Sequence, residues 1–207
     1  MGEKHMLARL IGIAVATGLC AGVTLAQNAP PTRIRGSIAA LDGQTLSVNT
    51  REGAKVDILL NDPLTVATVK RFDLADVKPG SYVGIATRTG ADGQQDALEV
   101  LVFPEAMRGA GEGHYGWDLE SGSMMTNGTV GGTVDAKSGR QLSVSYKDGN
   151  QTIVVPPNAP VVTFAPAAKA DLKPGAKVAI FGATKNAEGK LAASRVTVET
   201  NGVAPPM

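Results

Sequence analysis

Cysteine is almost missing from this 207-residue chain, and the one present, Cys20, lies in the first apolar run. Histidine is nearly as scarce, with only His5 and His114, and aromatic residues amount to 4 %. Without a second thiol there is no intrachain disulfide, and without Cys clusters no Cys-based zinc site. Neither sign of charge dominates: 20 Lys and Arg face 19 Asp and Glu. Binding to nucleic acid needs a basic excess or a basic stripe, so the balance argues against it.

The first segment carries Lys4, His5 and Arg9, then an apolar run from Leu10 to Leu25, then Ala26. This is the pattern of a secretory signal peptide over residues 1–26, cut after Ala26. The run is shorter than the roughly 20 residues of a spanning helix, and Gly12, Gly18 and Gly22 interrupt it. Thr17-Gly18-Leu19 precedes Cys20, whereas a lipoprotein signal needs a small residue directly before its cysteine. The expected product is periplasmic or secreted, spans no membrane and keeps one imidazole, His114. Losing Lys4, Arg9 and Glu3 leaves 20 − 2 = 18 basic and 19 − 1 = 18 acidic residues.

What is abundant is glycine, 25 residues, much of it placed in a repeat. Leu46-Ser47-Val48 returns as Leu142-Ser143-Val144 (142 − 46 = 96), and Val77-Lys78-Pro79-Gly80 as Leu172-Lys173-Pro174-Gly175 (172 − 77 = 95). Gly36 aligns with Gly132, Val83 with Val178, Ile85 with Ile180 and Val100 with Val196. A period this long means duplicated modules, since solenoid units run roughly 20 to 50 residues. Alternating runs such as Thr45-Leu46-Ser47-Val48-Asn49, parted by Asp42-Gly43, Glu52-Gly53, Asp92-Gly93, Asp148-Gly149 and Glu188-Gly189, predict five or six antiparallel strands per module. Asp73 to Asp76 and Lys169 to Leu172 predict one helical turn each, stopped by Lys-Pro-Gly. So small a sheet hides its edges best by closing. The expected fold is all-β: two tandem OB-like barrels, residues 33–103 and 130–199, joined by a glycine-rich segment, 104–129, and followed by a disordered tail, 200–207.

The order of Asp-Gly turn, Leu-Ser-Val, Leu-Lys-Pro-Gly, Val-x-Ile strand and Ala-x-x-Val resembles tandem exported bacterial barrel modules classed as a domain of unknown function. The resemblance covers both modules, about two thirds of the chain, and rests on turn and core positions, so it implies a fold and no activity. Proteins similar in the connecting segment are sometimes labelled metal transporter permeases, yet one apolar segment cannot build a permease.

Residues 104–129 match neither module. They hold His114, Trp117, Met107, Met124 and Met125, which are all the imidazole, indole and thioether groups of the exported chain except Met207. Two main readings compete, beside a third in which some other ligand binds at the same cleft. In one, Tyr115, Trp117, Met124 and Met125 form an apolar plug between the barrels. In the other, His114, Met124 and Met125 bind a copper or silver ion under Trp117, a set similar in ligand type to small periplasmic copper and silver chaperones. Gly111 to Gly116 fits GxGxxG but opens no helix, and Ser121-Gly122-Ser123 lacks the frame of a nucleophile elbow. The sequence thus points to a non-enzymatic exported binding or assembly protein of the bacterial cell envelope, with an unidentified protein or envelope partner. Its alternative is a periplasmic soft-metal protein.

Overall fold

The computed structural model describes residues 31–136 and 139–205; the expected signal peptide lies outside them. The first repeat supplies β1 (Thr32–Asp42), β2 (Thr45–Thr50), β3 (Lys55–Arg71), β4 (Tyr82–Thr89) and β5 (Gln95–Val102). A short strand, β6 (Gly113–Gly116), falls in the connecting segment. The second repeat follows with β7 (Met124–Ala136), β8 (Gly139–Tyr146), β9 (Gly149–Val155), β10 (Val161–Pro166), β11 (Lys177–Lys185) and β12 (Leu191–Val198). The expected helical turns are single 3-10 turns at Leu74–Asp76 and Lys169–Asp171, the first capped by Asp73, whose carboxylate accepts from the Ala75 amide at 2.8 Å. No helix among the described residues is long and apolar enough to cross a membrane.

The architecture is all-β and closes into five-stranded circuits, within the five or six strands expected per module, but the circuits do not close within the repeats. One ring runs β1-β2-β3-β12-β11 and back to β1, with β3 and β12 parallel. The other runs β7-β8-β9-β5-β4 and back to β7, with β9 and β5 parallel. Each repeat therefore gives three strands to one ring and a hairpin to the other. The hydrogen-bonded units are not the segments 33–103 and 130–199.

The apolar interiors follow the same exchange. Leu46, Val48 and Ile58 pack with Val178, Ile180 and Val196 in the first ring; Leu142, Val144 and Ile153 pack with Val83, Ile85 and Val100 in the second. The 3-10 turn travels with its hairpin, so Leu172 caps the first ring's core and Val77 the second's. The device that exchanges them is β3. Its first residues pair with β2 and β12, its pairing with β12 resumes after a register shift between Leu60 and Thr65, and its 17 residues carry the chain past the end of β2. Its distal half pairs antiparallel with β10, Val69 opposite Phe164. These two residues are equivalent in the repeat (164 − 69 = 95), so a pseudo-twofold axis passes between them.

Two expectations are corrected. Gly36 does not correspond to Gly132. Ile38 pairs with Val48 as Val130 pairs with Val144, which makes Gly128 the counterpart of Gly36 (128 − 36 = 92). A Cβ at Gly36 would collide with the Asn49 carbonyl, and one at Gly128 with the Ser145 carbonyl, while at Gly132 it meets nothing. The tail is also ordered as far as it is described: Thr200 bridges Val203, and its hydroxyl lies 2.7 Å from that of Thr68 on β3.

Candidate functional site

The outward faces of the two rings meet across a cleft of about 470 Å³. Its walls are the same patch of barrel in two chemical versions. On the second ring one row is Glu99, Ala86, Met125 and Tyr115, and the next is Leu101, Gly84, Asn127 and Gly113, each residue facing its neighbour across paired strands. On the first ring Thr197, Ala179 and Arg35 pair in the same order. Two residues along each strand, on the same face, come Arg195, Phe181 and Arg33. Small side chains at Ala86 and Ala179 leave the hollow, Gly84 lies beneath Asn127 and Phe103, and Phe103, Phe164, Phe181, Tyr115 and Trp117 wall it. These five are most of the aromatic side chains of a chain with four Phe, three Tyr and one Trp.

The aromatic residues form two arcs. Tyr82, Phe103 and Phe164 follow one another at ring-centre distances of 5.4 and 6.1 Å, and Tyr115, Trp117 and Phe181 at 6.2 and 5.8 Å. Trp117 comes from the connecting segment and Phe181 from β11, so the second arc bridges the rings. Arginines complete that bridge. The Arg33 guanidinium lies 4.3 Å from the Trp117 ring centre, and that of Arg35 5.0 Å from both Trp117 and Phe181. Arg35 is 3 % exposed and donates through Nη1 to Asp118 Oδ2 at 2.7 Å. Its Nε and Nη2 are buried with no hydrogen-bond partner, so attraction to the two ring faces partly replaces the hydration they lose. Partial burial pushes the Asp118 carboxyl up, but the hydrogen bond and charge of Arg35, with Arg33 behind, outweigh it and hold Asp118 below the usual carboxylate range.

Asn127 fixes the other side of the cleft. Its Nδ2 donates to the Gly111 carbonyl at 2.9 Å and to the Tyr115 hydroxyl at 3.0 Å, which ties the connecting segment to β7. Burial raises the Tyr115 hydroxyl above its ordinary value, so it stays protonated and donates to the Gly111 carbonyl at 3.2 Å.

The four residues expected to hold a metal divide between two faces. Tyr115 pairs with Met125, and Trp117 lies two residues beyond Tyr115, so Trp117 and Met125 face the cleft. His114 pairs with Thr126, and Met124 lies two residues from Thr126, so these two face away. His114 Nδ1 is 2.9 Å from the Thr126 hydroxyl, and its ring stacks on Tyr146 at 6.1 Å. Met107 does line the cleft. Among the described residues no three His, Cys, Asp or Glu side chains gather as a metal site. The plug is likewise partial: Tyr115, Trp117 and Met125 enter the space between the rings without filling it, and Met124 and His114 stand outside.

Sequence reasoning missed Arg33, Arg35, Phe164, Phe181 and Arg195. The usable signal was disagreement between the copies. Inward positions match, Val83 with Val178 and Ile85 with Ile180, whereas outward ones differ, Ala86 against Phe181 and Glu99 against Arg195. Compared with protein-family models, curated proteins and solved structures, the chain matches none.

Proposed function

We propose that this is an exported, non-enzymatic binding protein that holds a small apolar molecule in the cleft between two OB-like rings. The observation that carries the reading is the hollow itself: about 470 Å³ walled by five aromatic side chains, with Ala86 and Ala179 in its lining. Pockets of roughly 300–1,000 Å³ with mainly apolar walls are the common form of small-molecule sites. The OB-like description is supported by the strand order of each ring and its one parallel pairing. Export, and the resemblance to exported bacterial modules, rest on the first 26 residues and on the turn and core motifs. A non-enzymatic role is favoured because His114, the mature chain's one imidazole, is engaged with Thr126 and Tyr146 on the face away from the cleft.

The test uses the neutral fluorophore 1-aminoanthracene with the full chain. Its emission should rise on binding, and Ala86→Phe, which places at β4 the side chain that Phe181 provides on β11, should weaken binding at least tenfold while leaving the melting temperature within a few degrees. Absence of any rise, or a rise indifferent to Ala86→Phe, overturns the reading. A second reading, Cu(I) or Ag(I) on thioethers, keeps the support of Met107 and Met125 beside Trp117. Quenching of Trp117 emission by Cu(I) carries it, and unchanged emission removes it.

A further inference from the structure

The two walls of the cleft are related by the pseudo-twofold but not in charge. At three equivalent positions the first ring carries Arg33, Arg35 and Arg195 where the second carries Met125, Asn127 and Glu99. Asp118 is the acid that answers the first wall, and its Oδ2 is taken by Arg35 at 2.7 Å. Arg33 reaches Asp118 only at 3.8 Å and makes no hydrogen bond among the described residues; its side chain is 35 % exposed. Arg195 is exposed, lines the cleft, and has no ion pair or hydrogen bond among the described residues. Two guanidinium groups that make no hydrogen bond among the described residues therefore border an aromatic hollow. Guanidinium forks fit carboxylates and other planar anions, and they are stronger beside a low-dielectric wall than in open water.

We propose that the occupant of the cleft is an organic anion with a flat apolar body. The body lies on Ala86 between Phe103, Phe164 and Met125, and the anionic group meets Arg33 and Arg195 at the rim. This rests on the cleft being the binding site, and it adds the charge and shape of what the site selects. Arg35 takes no direct part. It holds Trp117 and Asp118 in place, and Asp118 in turn keeps Arg35 from competing for the anion.

The closing experiment is calorimetric titration of the full chain with 2-naphthoate, its neutral amide 2-naphthamide, and the cation 2-naphthylmethylammonium. Naphthoate should bind at least tenfold more tightly than naphthamide, and the cation more weakly than either. Arg195→Gln and Arg33→Gln should each weaken naphthoate about fivefold or more and leave naphthamide within twofold. Ala86→Phe should weaken both. Equal affinity for acid and amide, both lost in Ala86→Phe, overturns the anion and keeps the cleft. Tighter binding of the cation overturns the charge assignment, and the absence of heat with all three probes overturns anion and cleft together.

Discussion

Gly36 and Gly128 hold the same post in the two rings, where the first strand crosses so close to the second that no side chain fits. Their equivalence is hidden in the sequence because the β7–β8 hairpin is longer by 96 − 92 = 4 residues than the β1–β2 hairpin, two residues in each arm. Matching glycine to glycine then favours Gly132, whose Cβ position is open. Gly36→Ala and Gly128→Ala should each lower stability by about 1–3 kcal/mol through overpacking. Gly132→Ala should stay within about 0.5 kcal/mol. Urea unfolding of the three variants decides between the alignments, and a Gly132→Ala cost equal to that of Gly36→Ala would restore the one read from identity. At the same scale, Leu46, Val48, Leu142 and Val144 are fully buried as their alternation predicts. Inward-facing residues are legible because burial constrains them in both copies alike, and the outward arginines are not, because nothing in a strand's period says what its outer face will meet.

The connecting segment works as a strap from one ring to the other. β6 pairs with β7 on the second ring, and Ser123, 2 % exposed, closes the turn beyond it by donating to the Glu120 carbonyl at 2.8 Å while the Trp117 amide donates to the Ser123 carbonyl at 2.8 Å. From that turn the strap reaches the first ring. Arg51 donates to the carbonyls of Asp118 and Leu119, and Arg35 holds the Asp118 carboxylate at 2.7 Å, with Arg33 farther off at 3.8 Å. Since the folded state keeps this carboxyl below its ordinary value, the stability it adds is complete above about pH 4, the unperturbed Asp value, and is lost as pH falls through the lower folded value. Its side chain is 43 % exposed, so solvent limits the contribution to about 1 kcal/mol. Asp118→Asn should therefore be less stable than the parent by about that much at pH 7, and the difference should shrink as pH falls below about 4. A difference that stays constant over this range would place the role of Asp118 in packing rather than charge. The segregation of His114, Trp117 and the methionines marked this element in the sequence, but strand alternation, which no spacing of ligand types reveals, sends His114 and Met124 away from Trp117 and Met125.

For the whole molecule, the duplication was legible and the exchange was not. A hairpin carrying Val83 and Ile85 makes the same contacts as one carrying Val178 and Ile180, so either fits either ring, and the pattern of buried residues is identical with or without the swap. What separates the two arrangements is the course of β3 past β2 to its antiparallel seam with β10, and seventeen residues of mixed polarity do not announce whether they turn back. The exchange matters for function because it locks the two outward faces against one another. A flexible pair of tandem barrels would hold no fixed cleft, whereas two rings that share hairpins set Phe181 and Ala86, or Arg195 and Glu99, across one space. The direct test is backbone nuclear Overhauser contacts across the neighbours of β1. The exchanged fold places Ile34 opposite Ile180 and Arg35 opposite Ala179, and predicts contacts between those pairs. Contacts from Ile34 to Ile85 instead, within one repeat, would contradict the exchange and with it the cleft.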